Sequence, residues 1–115
     1  MITYQILIEY LGTNYVGWQS QTNGTSVQET IEKILSMLIN EAADALFLNI
    51  ATRDDIDLAM TKGVNYPKGL LAWADEIGIK NVLKQLENLQ QEYGEDRYRP
   101  SPLLKRMLRE SKKFY

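Results

Sequence analysis

The residues with the greatest capacity for chemistry are three closely spaced aspartates, Asp54, Asp55 and Asp57. Carboxylate oxygens are ligands for divalent cations, so this cluster is a candidate metal site. Its spacing, however, matches no calcium loop, and acidic residues are favoured in the first turn of a helix by capping and by the helix dipole. The pattern therefore indicates a helix start, and no metal site is predicted.

Histidine and cysteine are both absent from the 115 residues. Histidine has the side-chain pKa nearest neutrality, so its absence removes the commonest general base and every Ser-His triad. The absence of cysteine excludes disulfides, thiolate nucleophiles and cysteine-based zinc sites. Gly12 and Gly17 follow a predicted strand but do not form the GxGxxG motif of a dinucleotide-binding fold. We predict no catalytic residue, no cofactor and no enzymatic activity.

Positive charge is concentrated at the carboxy terminus, although the chain has 13 basic and 15 acidic residues and a net charge of −2. A basic stretch can bind the phosphates of CoA or RNA, but cations near the end of a helix also complement its dipole. The balanced overall charge gives no global attraction to polyanions, so the second interpretation is favoured and nucleic-acid binding is not predicted. The residues concerned are Lys105, Arg106, Arg109, Lys112 and Lys113.

No segment predicts secretion or membrane insertion. The first residues lack the pattern of a signal peptide, and no apolar run approaches the roughly 18 to 20 residues that span a bilayer. With 44% apolar residues, the chain is long enough for one domain with a core and too short for two independent domains. We expect a single cytoplasmic domain, residues 1–115, without a membrane partner.

The first 25 residues predict a small β element. Residues 2–11 alternate with the period of a strand, residues 12–14 supply turn chemistry, and residues 15–19 form a second short extended run. A lone two-stranded hairpin is marginal in water, so it needs a helix beneath it or another chain beside it. We predict a β-hairpin within residues 1–25 and a helical part over residues 26–115.

About five helices are predicted after the hairpin, which makes the fold mostly α. Ser26 and Glu29 form a capping box, and an apolar stripe then predicts one long helix over about residues 27–48. Thr52 and Asp55 repeat the capping box for a short helix that stops at Gly63. Further helices are predicted over about residues 68–77, over residues 79–93, and from Pro102 onward with Ser101 as the cap. The side chains expected to face the core are Val27, Ile31, Ile34, Leu35, Leu38, Ala42, Ala45, Leu46, Ile56, Ala59, Met60, Val82, Leu83, Leu86, Leu89, Tyr93, Leu103, Leu104, Met107 and Leu108.

Two short motifs in the first third resemble a known enzyme family. Gly17-Trp18-Gln19 follows the predicted strand, and Ser26-Val27-Gln28 opens the long helix. Over about 36 residues their order and spacing resemble the amino terminus of the TruA-type tRNA pseudouridine synthases. The catalytic aspartate of that family lies in a later GRTDAG-like motif, which this sequence lacks; Arg53-Asp54-Asp55 matches only two of its letters. The resemblance implies, as an alternative function, an RNA-binding remnant with Trp18 near the RNA.

Residues from about 37 onward resemble a different enzyme family. Asn65-Tyr66-Pro67-Lys68-Gly69, Trp73-Ala74-Asp75 and the run 98–104 have the order and spacing of the carboxy-terminal helical domain of 3-hydroxyacyl-CoA (3-hydroxybutyryl-CoA) dehydrogenases. Leu70 departs from that pattern, because the family usually has proline there. In that family the domain is a helical bundle that builds the dimer interface and closes one side of the acyl-CoA cleft. The family's catalytic histidine and glutamate and a substrate-contacting asparagine have no counterparts here, so the resemblance implies a non-catalytic domain related to enzymes of fatty acid metabolism.

The two resemblances meet at residues 35–40, inside the predicted long helix, as in a gene fusion or a chimera. We expect a homodimer, because the helical part resembles a dimerisation domain and because a hairpin leaves unpaired edges. Whether the hairpin pairs within or between chains stays open. An acyl-CoA bound at the NYPKG turn and the basic helix is a further alternative. The candidate ligand or interface residues are Tyr66, Lys68, Trp73 and Trp18.

Overall fold

The computed structural model describes residues 27–115, with side chains from Glu29 onward. The predicted hairpin, Trp18 and the Ser26 cap therefore lie outside the described residues. Within the described range the chain forms five α-helices, which confirms the mostly α fold. These are α1 (Val27–Phe47), α2 (Arg53–Leu58), α3 (Leu70–Ile77), α4 (Ile79–Tyr93) and α5 (Pro102–Arg109). A π-helical turn (Ala59–Gly63) prolongs α2, and a 3-10 turn (Asp96–Tyr98) precedes α5.

The long helix α1 is the centre of the fold. It runs without a break through residues 35–40 and packs against α2, α3, α4 and α5. Ile31, Leu35, Ile39 and Ala43 are each fully buried, and their spacing of four residues places them in one row along the helix. The two halves of α1 therefore present one continuous packing surface, as the sequence predicts.

The burial of α1 is broader than a single stripe. Ser36 and Asn40, one position further around the helix, are also buried, because neighbouring helices cover α1 on more than one side. Ile39 and Ala43 were not among the residues that the sequence pattern singled out, whereas the predicted core residues Ile34, Leu38, Ala45 and Leu46 are only partly buried. The side chain of Val27 lies outside those described.

The second helical segment begins at Thr52 and ends at Gly63 as predicted, but its last turn is π-helical. The Thr52 side chain caps it by accepting a hydrogen bond from the Asp55 backbone N–H at 3.2 Å, and Ile56 is buried. From Ala59 the chain continues as a π-helical turn, which has more residues per turn and so changes the direction of the following side chains. Met60 still packs against the core, but Ala59 is exposed, so the prediction that Ala59 faces inward is wrong.

Two glycines set the limits of α4, as the sequence predicts. Gly78 separates α3 from α4 with a φ of 103°, and Gly94 ends α4 in the left-handed region with a φ of 68°. The four apolar residues from Val82 to Leu89 predicted to face inward are buried. Tyr93 is 55% exposed, and its ring centroid lies 5.6 Å from that of Tyr98 with the ring planes tilted by 35°, so its predicted core position is wrong.

The last helix is joined to α1 by a buried amide. Asn40 donates from Nδ2 to the Arg99 carbonyl oxygen at 2.9 Å, and its Oδ1 accepts from the Ser101 N–H at 2.7 Å. Ser101 in turn caps α5, since its Oγ accepts from the Leu103 N–H at 3.3 Å and Pro102 occupies the first position of the helix. Leu108 is 41% exposed, although the sequence predicts that it faces inward, and it lies in the last turn of α5.

Candidate functional site at the α2–α3 corner and the tail

The carboxylate of Asp57 lies at the amino terminus of α3. The backbone N–H groups of Leu71 and Ala72 donate to its two oxygens at 2.8 and 2.9 Å, and the Tyr115 hydroxyl donates to Oδ2 at 3.0 Å. Gly69, the residue that precedes α3, has no side chain with which to cap it. Asp57 therefore supplies the missing cap from another helix, and it satisfies N–H groups that the helix itself leaves unpaired.

The close contact between Asp57 and α3 explains the glycine at position 69. A Cβ atom built there would lie 2.2 Å from Cγ of Asp57, much closer than two carbon atoms can approach. The φ of Gly69 is −68°, which any residue adopts, so the requirement is for space and not for backbone freedom. The glycine of the NYPKG turn is thus needed for the approach of a carboxylate.

The three aspartates that opened the sequence analysis do not converge on a common point. Asp54 is exposed and pairs with Arg53 at 3.1 Å, Asp55 lies in the capped first turn of α2, and Asp57 is turned toward α3. Within residues 27–115 no group of three acidic side chains could hold a metal ion. Asp54 and Asp55 lie in the first turn of α2, and Asp57 caps the first turn of α3. The sequence spacing favours such positions at helix amino termini.

The last residues of the chain, 110–115, are called the tail here. Two consecutive N–H groups of the tail, those of Phe114 and Tyr115, donate to the two oxygens of Asp75 at 2.8 Å each. Nη1 of Arg53 donates to the Phe114 carbonyl oxygen at 2.7 Å, and its guanidinium carbon lies 4.2 Å from the centroid of the Tyr115 ring. These contacts fix the end of the tail against α2 and α3.

Protonation keeps these contacts in place at neutral pH. Burial, together with the hydrogen bond to Asp57, raises the pKa of Tyr115 to about 12, so the phenol remains a neutral donor. The hydrogen bond that Arg53 donates to Asp54 raises the pKa of Arg53, which keeps the guanidinium charged. Asp57 accepts hydrogen bonds from two N–H groups and one hydroxyl, and Asp75 accepts them from two N–H groups. Both carboxylates therefore stabilise the fold.

The predicted ligand or interface residues have different surroundings. Trp73 is 1% exposed and belongs to the core. Tyr66 is partly buried against the core, and its backbone N–H donates to the Met60 carbonyl oxygen at 2.9 Å. Lys68 forms an ion pair with Glu76 of α3. A ligand-binding role of Tyr66 and Lys68 stays a prediction.

A groove of about 270 Å³ lies beside the tail, between α1 and α5. It is lined by Arg106, Lys112 and Lys113, which sequence analysis identified as a basic stretch, and by Arg53, which it did not single out. Arg53 is far from the others in sequence and reaches the groove only because α2 packs beside the tail. Sequence analysis likewise missed the role of Asp75, since no local signal marks a carboxylate that binds backbone groups nearly forty residues away.

Comparison with known proteins assigns most of the chain to one family. The family model described as 3-hydroxyacyl-CoA dehydrogenase, C-terminal domain, matches residues 30–113. A 3-hydroxyadipyl-CoA dehydrogenase of Escherichia coli K12 is 54% identical over 75 residues, which cover 65% of this chain and 16% of that protein. The crystal structure of (S)-3-hydroxybutyryl-CoA dehydrogenase from Ralstonia eutropha has a TM-score of 0.67 at 38% identity and covers 70% of this chain and 28% of that one.

A second group of relatives consists of tRNA pseudouridine synthases, and matches to them cover from 36% to 74% of this chain. A tRNA pseudouridine synthase A of Pelagibacter ubique is 54% identical over 41 residues, which cover 36% of this chain and 17% of that protein. Both resemblances noted in the sequence are therefore confirmed, and the chain spans less than a third of each of these relatives. None of the described helices is long and apolar enough to cross a bilayer. Because the family match covers most of its residues, the chain belongs to the family of 3-hydroxyacyl-CoA dehydrogenase C-terminal domains.

Proposed function

We propose that this chain is a non-catalytic helical domain of the dehydrogenase type, which forms a homodimer and one wall of an acyl-CoA cleft. The observation that carries the proposal is the position of the family match: residues 30–113 correspond to the carboxy-terminal helical domain, and the 115 residues contain no histidine. On this proposal residues 30–113 carry no catalytic residue of their own. The role of the chain is structural, through the surfaces that the helices present.

Exposed apolar side chains on the α2 side of the domain support the homodimer. Leu58, at the end of α2, is 54% exposed, and Val64, directly after the π-helical turn, is 45% exposed. Burying exposed apolar surface against a second copy contributes roughly 25 cal/mol per Å² of area removed from water. A symmetric dimer presents the same surface twice, so each such residue contributes on both sides of the interface.

The acyl-CoA wall and the RNA-binding alternative rest on different parts of the chain. The cleft proposal uses the NYPKG turn, where Lys68 and Tyr66 lie at the start of α3. The RNA-binding alternative depends on Trp18 and its loop, which lie outside the described residues. No described contact favours that alternative, and the family match favours the dehydrogenase-type role.

Light scattering after size exclusion tests the dimer. We expect a particle of about twice the chain mass of 13.3 kDa at high micromolar concentration. Leu58→Ser combined with Val64→Ser should lower the dimer fraction, because both side chains then lose their apolar contribution. The matched control is Leu48→Ser combined with Ile50→Ser, two apolar residues exposed in the α1–α2 loop. A parent protein that stays monomeric at this concentration would rule the homodimer out.

A further inference from the structure

The groove beside the tail has an apolar floor that lies below the protein surface. Leu103, Met107 and Phe114 line it and are only 8%, 6% and 7% exposed. The groove volume of about 270 Å³ lies just below the roughly 300–1,000 Å³ typical of small-molecule sites. Such a groove suits an inserted apolar side chain better than it suits a cofactor.

The rim of the groove is strongly positive although the whole chain carries a net charge of −2. Among the residues that the structure describes, four cations and one carboxylate, that of Glu110, line it. Lys112 pairs with Glu110 at 3.1 Å, and Arg53 pairs with Asp54 at 3.1 Å. The ion pairs of the described residues include neither Arg106 nor Lys113. These two cations are therefore available for a ligand of opposite charge.

The positive surface continues on the other side of the tail. A second groove of about 240 Å³ shares Met107, Lys112 and Lys113 with the first. It adds Lys80, Leu108 and Asp75, whose carboxylate accepts hydrogen bonds from two N–H groups of the tail. An extended segment that crossed the tail would therefore meet cations and apolar side chains in both grooves. Next to the first groove, the Arg106 guanidinium lies 5.8 Å from the ring centroid of Phe47, so exposed apolar surface adjoins the cations there as well.

Charge decides which partner fits this surface. A second copy that bound through the same face would place arginines and lysines against each other, and like charges across an interface are costly. The surface of a bilayer is flat and would not contact Leu103, Met107 and Phe114, whose side chains are each less than 10% exposed at the bottom of the groove. Nucleic acid would pair its phosphates with the cations but would leave the apolar floor formed by Leu103, Met107 and Phe114 unfilled.

We propose that the groove between α1, α5 and the tail is a docking site for an acidic peptide segment of a partner protein. A large apolar side chain of that segment enters the groove above Leu103 and Met107, and flanking carboxylates pair with Arg106 and Lys113. This mode of recognition combines an apolar anchor with charge complementarity at the rim. The proposal does not depend on the homodimer or on the acyl-CoA cleft.

Fluorescence anisotropy with the full 115-residue chain tests the site. The probe is a fluorescein-labelled peptide, Glu-Glu-Leu-Phe-Glu-Glu, and the two matched controls replace Leu-Phe by Ser-Ser or every Glu by Lys. We expect saturable binding of the first peptide alone, weakened by added salt because the rim charges are exposed. The double variant Arg106→Gln and Lys113→Gln should weaken binding roughly fivefold. Lys84→Gln on the exposed face of α4, which lines neither groove, should leave binding unchanged.

Several results would overturn the docking site. They are the absence of saturable binding up to millimolar protein, equal binding of either control peptide, and unchanged binding by a double variant whose thermal unfolding matches that of the parent. Displacement of the peptide by tRNA or by anionic phospholipid vesicles at equal charge would show a general polyanion surface, which also contradicts the proposal.

Discussion

Replacing Ser36 by proline is expected to unfold the whole helical domain. Ser36 is fully buried in the interior of α1. Proline there removes a backbone hydrogen bond and clashes with the preceding turn, at a cost of about 3 kcal/mol or more. Because α1 packs against the other four helices, the disruption reaches the entire core of a domain whose total stability is expected to be about 5–15 kcal/mol. Circular dichroism during heating measures the loss of the cooperative transition.

Ser36→Ala is the matched control at the same position. The Ser36 hydroxyl is buried and finds no hydrogen-bond partner among the described residues. A buried unpaired polar group costs about 1–3 kcal/mol, so removing it should keep or raise the melting temperature. A proline variant that melted like the parent would show that α1 is not one continuous helix.

Replacing Asp57 by alanine is expected to lower the free energy of unfolding by about 3 kcal/mol. The change removes the acceptor for Leu71 N–H, Ala72 N–H and the Tyr115 hydroxyl. Hydrogen bonds to a charged group contribute about 1.5–3 kcal/mol each and are not additive, and the two N–H groups at the start of α3 lose their cap. Urea unfolding followed by circular dichroism provides the measurement.

Two variants show whether the cap is the cause of that loss. Asp57→Asn keeps an acceptor oxygen and should lose less stability than Asp57→Ala. Asp54→Ala removes an exposed carboxylate whose ion pair within residues 27–115 is with its neighbour Arg53, so a change below about 0.5 kcal/mol is expected. If Asp54→Ala and Asp57→Ala lowered the free energy of unfolding equally, Asp57 would not be the residue that caps α3.

Local sequence signals predicted most of the helix boundaries. Gly78 and Gly94 enclose α4, and the caps Thr52 and Ser101 mark the starts of α2 and α5, because each signal acts within one turn of the residue that carries it. The start of α3 was placed about two residues early, since its cap comes from Asp57 and not from a neighbouring residue.

The candidate site was predicted less well, because its contacts join residues distant in sequence. Asp75 binds N–H groups 39 and 40 residues further on, and Asn40 accepts from an N–H 61 residues away. Side-chain contacts with distant backbone groups have no periodicity, so hydrophobic patterns do not report them. The requirement for glycine at position 69 is equally invisible in sequence, since it follows from the approach of Asp57.

The helix α1 connects the two family resemblances through packing. The two resemblances meet at residues 35–40, and the buried row of Ile31, Leu35, Ile39 and Ala43 runs through this segment. Asp57, one of the three aspartates that the sequence singles out, caps α3 and accepts a hydrogen bond from Tyr115 of the tail. Both findings support a chain whose function is to present helical surfaces.

The most direct test of this non-catalytic account is a dehydrogenase assay with the purified chain. NADH oxidation is followed in the presence of acetoacetyl-CoA, with a full-length 3-hydroxybutyryl-CoA dehydrogenase as the positive control. We predict that the chain produces no NADH oxidation above the rate in buffer, even at high protein concentration. Turnover that rises in proportion to the amount of folded chain, and that is absent from the Ser36→Pro variant, would contradict the account.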